Sequence, residues 1–286
     1  MSDALNDLLK ILDLEELERD RFRGQNESAD RPHLFGGQVM AQALAAAGAT
    51  VDGLLAHSLH AHFLQRGDPA IPVIYQVDRI REGVRSASRR ITACQGDETI
   101  STLVASFQED RAGFEHGEPM PEVAAPEGLP SMPEQAEAAG VPPALREWLR
   151  ADHPIDLRPA EGPGLLRGDG QTGALHFWLR AAGALPDDPL LHQCVAAYAS
   201  DLGPIEAAIR RHVVGFALDA ASPVSLDHTL WFHRPLRIDE WLLHRLECPV
   251  AASGRHLVRG SLFTRDGASV ASMAQELLVR PAVPEE

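Results

Sequence analysis

The stretch GGQVMAQALAAAGAT, residues 36–50, decides the fold of this chain. It consists of Ala, Gly and small polar residues, and only such small side chains allow another layer of structure to approach a helix closely. Three extended runs follow it, namely HSLHAHFLQR from His57, VIYQVDRIREG from Val73 and SASRRITACQGDETISTLVASFQ from Ser86. These patterns predict a meandering antiparallel sheet that curls around one helix.

The second half of the chain repeats this order. PLLHQCVAAYASD from Pro189 precedes three further extended runs, SLDHTLWFHRP from Ser225, EWLLHRLECPV from Glu240 and a hairpin-like run from His256. The hotdog fold is the common arrangement of this type. We therefore predict an α+β tandem double hotdog, in which two antiparallel sheets each curl around a central helix and pair within one chain.

A proline-rich centre divides the chain. Residues 116–165 combine many prolines with Gly, Ala and Glu, which is typical of a connector and not of a core. We place an N-terminal hotdog unit with a leading amphipathic helix at 1–115 and a C-terminal hotdog unit, carrying the catalytic residues, at 166–286. Within the connector, apolar residues on one face predict a short helix over 144–152.

Composition excludes several classes of protein. The 286 residues are 44% hydrophobic and 23% charged, as in ordinary globular proteins, and the formal net charge of −15 opposes nucleic-acid binding. Cys94, Cys194 and Cys248 have neither zinc-site nor disulfide-framework spacing, so we expect a cytoplasmic location. The N-terminal segment lacks a basic region and a cleavage site, and no apolar run approaches the roughly 18 residues of a membrane helix. We therefore expect no membrane insertion.

Three motifs of other chemistries are incomplete or absent. No G-x-S-x-G stretch supplies a serine-esterase nucleophile. A G-x-G-x-x-G match from Gly168 to Gly173 follows a proline-glycine connector instead of a strand, so we interpret it as a turn and not as a dinucleotide site. His60 and His62 share a strand face that excludes His57, and no carboxylate or thiolate nearby completes a ligand set. We predict partly buried structural histidines, no metal and no cofactor.

Strand parity separates the polar residues of the second half. Because side chains alternate between faces, Asp227 and His228 point apart and are interpreted as structural, with Asp227 on the side of Ser225. Gln275 falls on an apolar face, where an amide without a partner costs about 1–3 kcal/mol. Asp201 ends the helix from Pro189, and either chemistry or capping of a following helix explains it.

Ten short segments, in order across both halves, resemble the acyl-CoA thioesterase II (TesB-type) double-hotdog enzymes over nearly the whole chain. They are FRGQ (22–25), LFGGQV (34–39), ALAAA, HS-x-H (57–60), ASFQ (105–108), GFEH (113–116), YASDL (198–202), DH-x-x-WFHRP (227–235), EWLL (240–243) and VAS-x-x-QE (270–276). Ten segments at family-like spacing make a specific match. The resemblance implies hydrolysis of acyl-CoA thioesters to free fatty acid and CoA.

The resemblance also implies a catalytic trio. The family's Asp, Thr or Ser, and Gln, which together bind the attacking water, match Asp201, Ser225 and Gln275. Asp201 is then the expected general base, and Ser225 and Gln275 orient a water that attacks the thioester without an acyl-enzyme. The position of the first half that matches Ser225 is His57, so we expect one working site per chain.

Substrate contacts are expected at the start of the first central helix and at a basic patch. Gly36 and Gly37 leave backbone N–H groups open to a developing oxyanion. An acidic protein must meet the phosphates of CoA with local arginines. The candidates are Arg85, Arg89 and Arg90 on one strand and Arg234 and Arg237 after another.

Two other functions stay open on the sequence alone. One is a hotdog protein that binds acyl-CoA or an acyl carrier without hydrolysis. The other is a hydratase or dehydratase, against which the opposite faces of Asp227 and His228 argue. In each case we expect a homo-oligomer.

Overall fold

The computed structural model describes residues 2–27, 32–137, 141, 143–161, 170, 172–212 and 223–279. The N-terminal half contains α1 (Asp3–Leu12), β1 (Glu15–Glu18), β2 (Arg21–Gly24), α2 (Gly36–Gly48), β3 (Leu55–Phe63), β4 (Val73–Glu82), β5 (Ser86–Gln95) and β6 (Glu98–Gln108). The connector contains α3 (Met132–Gln135) and α4 (Pro143–Arg150). The C-terminal half contains β7 (Ile155–Pro159), β8 (Leu175–Ala181), α5 (Pro189–Ser200), α6 (Pro204–Ile209), β9 (Val224–Ser225), β10 (Asp227–Phe232), β11 (Leu242–Ala252), β12 (Arg255–Thr264) and β13 (Ser269–Leu278).

The strands of both halves join into one sheet. Across the described residues the sheet has 13 strands, twelve of them in the order β1-β2-β4-β5-β6-β3-β10-β13-β12-β11-β8-β7, with β9 beside β13. The halves meet where β3 pairs antiparallel with β10, with Leu59 opposite Leu230. The two predicted sheets are therefore paired edge to edge as one continuous surface, which curls around α2 and α5.

The two central helices run antiparallel and very close together. A Cβ atom on Gly37 would lie 2.6 Å from the backbone oxygen of Tyr198, and one on Gly48 would collide with Leu190 at the other end of α5. Real Cβ contacts are essentially never that short, so glycine is required at position 37, where the close atom belongs to the backbone, whereas at position 48 the Leu190 side chain would have to shift. This close approach brings the start of α2 to the end of α5.

The core lies between the helices and the concave face of the sheet. Its largest fully buried side chains come from both layers: Met40 and Leu44 on α2, Leu59 and Phe107 on the first part of the sheet, and Phe177 on the second. Burial of this apolar surface drives the curling of the sheet around the helices.

The C-terminal part of the sheet begins earlier than the composition suggests. Strand β7, Ile155–Pro159, pairs with β8 although it lies inside the predicted connector of residues 116–165. The boundary predicted at residue 166 therefore falls after the first strand of this half. The proline-rich surroundings concealed the alternating burial of this short strand. Helix α4 occupies Pro143–Arg150, where the sequence predicts a short helix.

Candidate active site

Three side chains that are far apart in the sequence meet at the end of α5. Gln275 on β13 donates from Nε2 to Asp201 Oδ1 over 2.9 Å and to Ser225 Oγ over 2.7 Å. Asp201 follows the last residue of α5, and Ser225 belongs to β9, which pairs with β13. The structure thus brings together all three residues of the predicted trio.

A buried histidine fixes the orientation of the Gln275 amide. Gln275 Oε1 lies 2.8 Å from His228 Nδ1, and His228 Nε2 lies 3.0 Å from the hydroxyl of Ser200. Because an amide oxygen only accepts, His228 carries its hydrogen on Nδ1 and donates it. Burial lowers the pKa of His228 to about 4, so the ring is neutral.

The orientation of the amide in turn fixes the role of Ser225. Ser225 Oγ accepts from Gln275 Nε2, so its own hydrogen remains available for another acceptor. Strict alternation placed Ser225 on the side of Asp227 and away from His228, and this prediction is wrong. Regular strand structure is interrupted at Leu226 between β9 and β10, which turns Ser225 toward Gln275.

Asp227 and His228 do point apart, as predicted from parity. Asp227 Oδ1 accepts from the backbone N–H of Glu276, while His228 is fully buried beside Gln275. His228 has a contact with the trio that the sequence analysis missed. The sequence does contain a signal for this contact, since a histidine on the apolar face of Leu230 and Phe232 needs a buried partner as much as Gln275 does.

The Asp201 carboxylate is almost fully enclosed. Its side chain is 6% exposed, and burial raises the pKa of the Asp201 carboxyl to about 7, against smaller lowering effects of hydrogen bonds from Gln275 and Gly37. A carboxyl with this pKa exchanges a proton near neutral pH. Asp201 does not cap the following helix, because the N-cap of α6 is Gly203.

The start of α2 holds the second oxygen of this carboxylate. The N–H of Gly37 donates to Asp201 Oδ2 over 2.9 Å. This corrects the prediction that Gly37 serves as an oxyanion donor, because its N–H is already bonded to a carboxylate. A Cβ on Gly36 would lie 2.9 Å from the same oxygen, so a side chain there would displace Asp201. The site is therefore shared by both halves of the chain.

Two cavities meet at Asp201, and both are lined by Phe35, Asp201 and Ile205. We call the first the Ser225 cavity; it holds about 140 Å³, and its lining includes His33, Leu34, Gly36, Phe63, Arg66 and Ser225. We call the second the connector cavity; it holds about 190 Å³, and its lining includes Met132, Trp148, His153, Ile155, Leu157 and Glu206. The carboxylate thus lies between two spaces large enough for parts of a substrate.

The predicted arginine patch is not present as expected. Arg89 is fully buried, with its guanidinium bonded to Thr50, to the Arg81 carbonyl and to Glu82, so it cannot contact a dissolved phosphate. The prediction for Arg89 is wrong because its side chain faces the inside of the sheet. The other candidates reach the surface and have partners. Arg90 pairs with Asp78, Arg85 with Glu109, Arg234 with Glu115 and the Ser269 carbonyl, and Arg237 with Asp187 and Asp239.

Nothing in the described part of the chain forms a metal centre: no three His, Cys, Asp or Glu side chains there lie close enough together. His57, His60 and His62 are all exposed, not partly buried, because a register shift beside Ala56 brings His57 to the outer face. Of the G-x-G-x-x-G match, Gly168 lies outside the described residues. None of the described helices has the length and apolar composition that crossing a membrane requires.

Two family models match the chain. The model described as "Acyl-CoA thioesterase" matches residues 145–278, and "Acyl-CoA thioesterase N-terminal domain" matches residues 26–108. Acyl-CoA thioesterase 2 of Haemophilus influenzae is 38% identical over 98% of this chain and 99% of that protein. Human acyl-coenzyme A thioesterase 8 is 36% identical over 96% of this chain and 90% of that protein.

Solved structures show the same relationship. The tesB protein of Mycobacterium avium superposes with a TM-score of 0.80 at 29% identity, covering 98% of this chain and 100% of that one. The acyl-CoA thioesterase II TesB2 from Mycobacterium marinum gives 0.79 at 36% identity, covering 96% and 98%. The predicted hotdog fold is confirmed. The chain belongs to the acyl-CoA thioesterase II (TesB-type) family and is an acyl-CoA thioesterase that hydrolyses acyl-CoA thioesters.

Proposed function

We propose that the trio Asp201, Ser225 and Gln275 holds one water and activates it against the thioester carbonyl, with Gln275 acting by positioning the other two side chains. The observation that carries this proposal is the orientation of the Gln275 amide, which bridges Asp201 and Ser225 with both of its N–H bonds. With the amide fixed, Asp201 accepts a proton from the water while the Ser225 hydroxyl orients it. A water held this way has a defined direction of attack.

Asp201 is the only group that carries a proton in the chemical step. Asp201 takes one proton from the water as the water oxygen bonds to the carbonyl carbon. The tetrahedral intermediate then breaks its carbon–sulfur bond, and the proton held on Asp201 passes to the departing sulfur. The products are a carboxylic acid and the free thiol of CoA, and no covalent acyl-enzyme forms.

The developing oxyanion needs a donor other than Gly37. Gly36 lines the Ser225 cavity and is the first residue of α2, where backbone N–H groups point outward and the helix dipole favours negative charge. We assign the oxyanion contact to the N–H of Gly36. The absence of a side chain at this position leaves the approach open.

Conversion of Asp201 to Asn tests the general base. We expect Asp201→Asn to lower kcat by about 10²–10⁴-fold, because positioned acid–base groups contribute that much. Release of free thiol from acyl-CoA measures it, with a thermal melt as the control for folding. Turnover equal to wild type would remove Asp201 from the mechanism.

The raised pKa of Asp201 also predicts two pH profiles. Activity needs the carboxylate, so kcat/KM rises with pH and reaches half its plateau near pH 7. Stability changes the opposite way. Since the folded-state pKa of about 7 exceeds the ordinary 3.8, the folded protein holds the extra proton between these values. Its free energy of unfolding therefore falls by up to about 1.4 kcal/mol per pH unit in this window, and Asp201→Asn lacks this fall.

Two further expectations stay proposals. Cys94, Cys194 and Cys248 are free thiols, which supports a reducing cytoplasmic location, although one relative carries the name peroxisomal acyl-coenzyme A thioester hydrolase 1 in Saccharomyces cerevisiae. Fluorescent tagging in the source cell would decide the location.

The second expectation is a homo-oligomer. Light scattering of the purified chain gives its mass, and a monomeric mass would end that proposal.

A further inference from the structure

The two cavities that meet at Asp201 differ in chemistry. In the Ser225 cavity, Arg66 is exposed and has no ion pair within the described residues, and His33, Gln65 and Ser101 add further polar groups. The rest of this lining is mostly apolar, so it is the Arg66 cation that suits the cavity to an anionic ligand. This is the chemistry of the phosphate-bearing arm of CoA.

The connector cavity is mainly apolar. Met132, Trp148, Ile155 and Leu157 line it together with Phe35, and its polar side chains besides Asp201 are His153, Tyr198 and Glu206. Part of its lining comes from α3, α4 and β7, which all lie within the stretch predicted to be a connector. Apolar walls around a cavity suit an alkyl chain.

We propose that the connector cavity binds the acyl chain while the Ser225 cavity binds the CoA arm, so that the connector determines acyl chain length. The inference rests on the proposed role of Asp201, since the thioester carbonyl must lie where the two cavities meet. Its two substituents then extend into different cavities, the phosphate-bearing arm toward Arg66 and the alkyl chain toward the connector residues. Each buried methylene should raise kcat/KM about fourfold until the cavity is full.

Three residues separate the connector cavity from a neighbouring cleft. Met132, His153 and Ile155 line this cavity and also a surface cleft of about 560 Å³ that contains Arg180 and Arg237. Met132 is 5% exposed, so its side chain fills the space between the two. Shortening this side chain would open the cavity into the cleft and leave room for a longer chain.

Thiol release from a series of saturated acyl-CoAs, from short to long, tests the assignment on the intact chain. For Met132→Ala we expect kcat/KM to keep rising for about two or more carbons beyond the wild-type plateau, at about fourfold per methylene. For Leu157→Trp we expect the plateau at a shorter chain. Trp148→Ala, at a side chain that is 38% exposed, is the alternative if the larger residue prevents folding; it should lower kcat/KM for long chains relative to short ones.

Leu34→Ala is the matched control, because Leu34 lines only the Ser225 cavity of the two. It should change kcat/KM by one common factor at every chain length. An unchanged profile in the Met132 and connector variants would overturn the assignment, as would a changed profile in Leu34→Ala alone. These outcomes are ratios between substrates and are separate from the Asp201→Asn result, which tests the general base.

Discussion

The two halves of the chain place different residues at equivalent points of one frame, and a β-bulge in each half marks the register. The pairing of β5 with β6 shifts beside Ser101, and that of β12 with β13 shifts beside Ala271. Ala105 lies four residues after Ser101, and Gln275 lies four residues after Ala271, so Ala105 and Gln275 occupy equivalent positions. The first half has a methyl group where the second has the Gln275 amide.

The difference continues on the neighbouring strand. Arg89 lies opposite Ala105, while Val258 lies opposite Gln275. The Arg89 guanidinium donates to the hydroxyl and carbonyl oxygens of Thr50, just beyond the end of α2, where the helix dipole favours a cation. In the second half, Gln275 donates to Asp201 just beyond the end of α5.

Both halves therefore join the sheet to a helix end through a polar pair, but with different results. The first pair is closed, because Arg89 has no exposure and its nitrogens have protein partners. The second pair opens onto two cavities. Equivalent positions thus form a closed contact in one half and an accessible one in the other, which supports our expectation of one site per chain.

Loss of the closed pair, Arg89 with Thr50, should have the largest effect. It should lower stability and leave turnover unchanged. Arg89→Met leaves the Thr50 and Arg81 carbonyls without their donor, which we expect to cost about 1–3 kcal/mol of unfolding free energy for each carbonyl. Urea denaturation measures it. Arg90→Met is the matched control, since the exposed pair with Asp78 is worth about 1 kcal/mol or less. Equal effects of the two variants would contradict the comparison.

Loss of the open pair should instead affect turnover. Gln275→Met keeps the volume but removes both donors, and we expect kcat to fall about 10²–10³-fold, as when a preorganised hydrogen-bond donor is removed. Thiol release measures it. The neighbouring Glu276→Gln, which faces outward toward Arg255, should stay within about twofold of wild type. A comparable loss in both variants would indicate disruption of β13 and not of the site.

His228 should act through Gln275, with a smaller effect. His228→Leu removes the donor that fixes the amide, and we expect kcat to fall about 10–100-fold. An amide free to turn its oxygen toward Asp201 would also raise the pKa of that carboxyl, shifting the acidic limb of the pH profile upward. His228→Asn keeps a donor near the Nδ1 position and should restore both. Equal losses without a pH shift in the two variants would make His228 a packing residue.

Substitutions at Ser225 should have the smallest effects. Ser225→Thr keeps the hydroxyl and restricts its rotamers, so we expect kcat within about threefold of wild type. Ser225→Ala removes the hydroxyl and should lower kcat about tenfold. Initial rates at saturating acyl-CoA measure both. A Thr variant as slow as the Ala variant would mean that the hydroxyl is not the important group.

The sequence predicts the fold and the members of the trio for separate reasons. Small residues before long extended runs identify the helix and its curled sheet, and the resemblance points to Asp201 and Ser225. Gln275 is the one member that parity also singles out, and its full burial is confirmed. Parity failed at Ser225 because it assumes an unbroken strand, whereas pairing is interrupted at Leu226.

Other features were beyond the sequence because they depend on contacts between distant segments. Arginine is normally a surface residue, and only the contact with Thr50 explains why Arg89 is buried. The sequence shows that Gly37 is a small residue at the start of a helix. It does not show that the Gly37 N–H faces a carboxylate from the other half. Strand β7 is too short and too close to prolines to have a clear pattern.

The hydrogen bond from Gly37 to Asp201 spans 164 positions of the chain. Such a contact forms late in folding, because a long loop must close before any energy is gained from it. A ribosome-bound chain that ends before β13 has made the first half and much of the second, yet has no Gln275 to complete the site. Appearance of thiol-releasing activity during refolding should therefore report the docking of the two halves, later than the recovery of secondary structure.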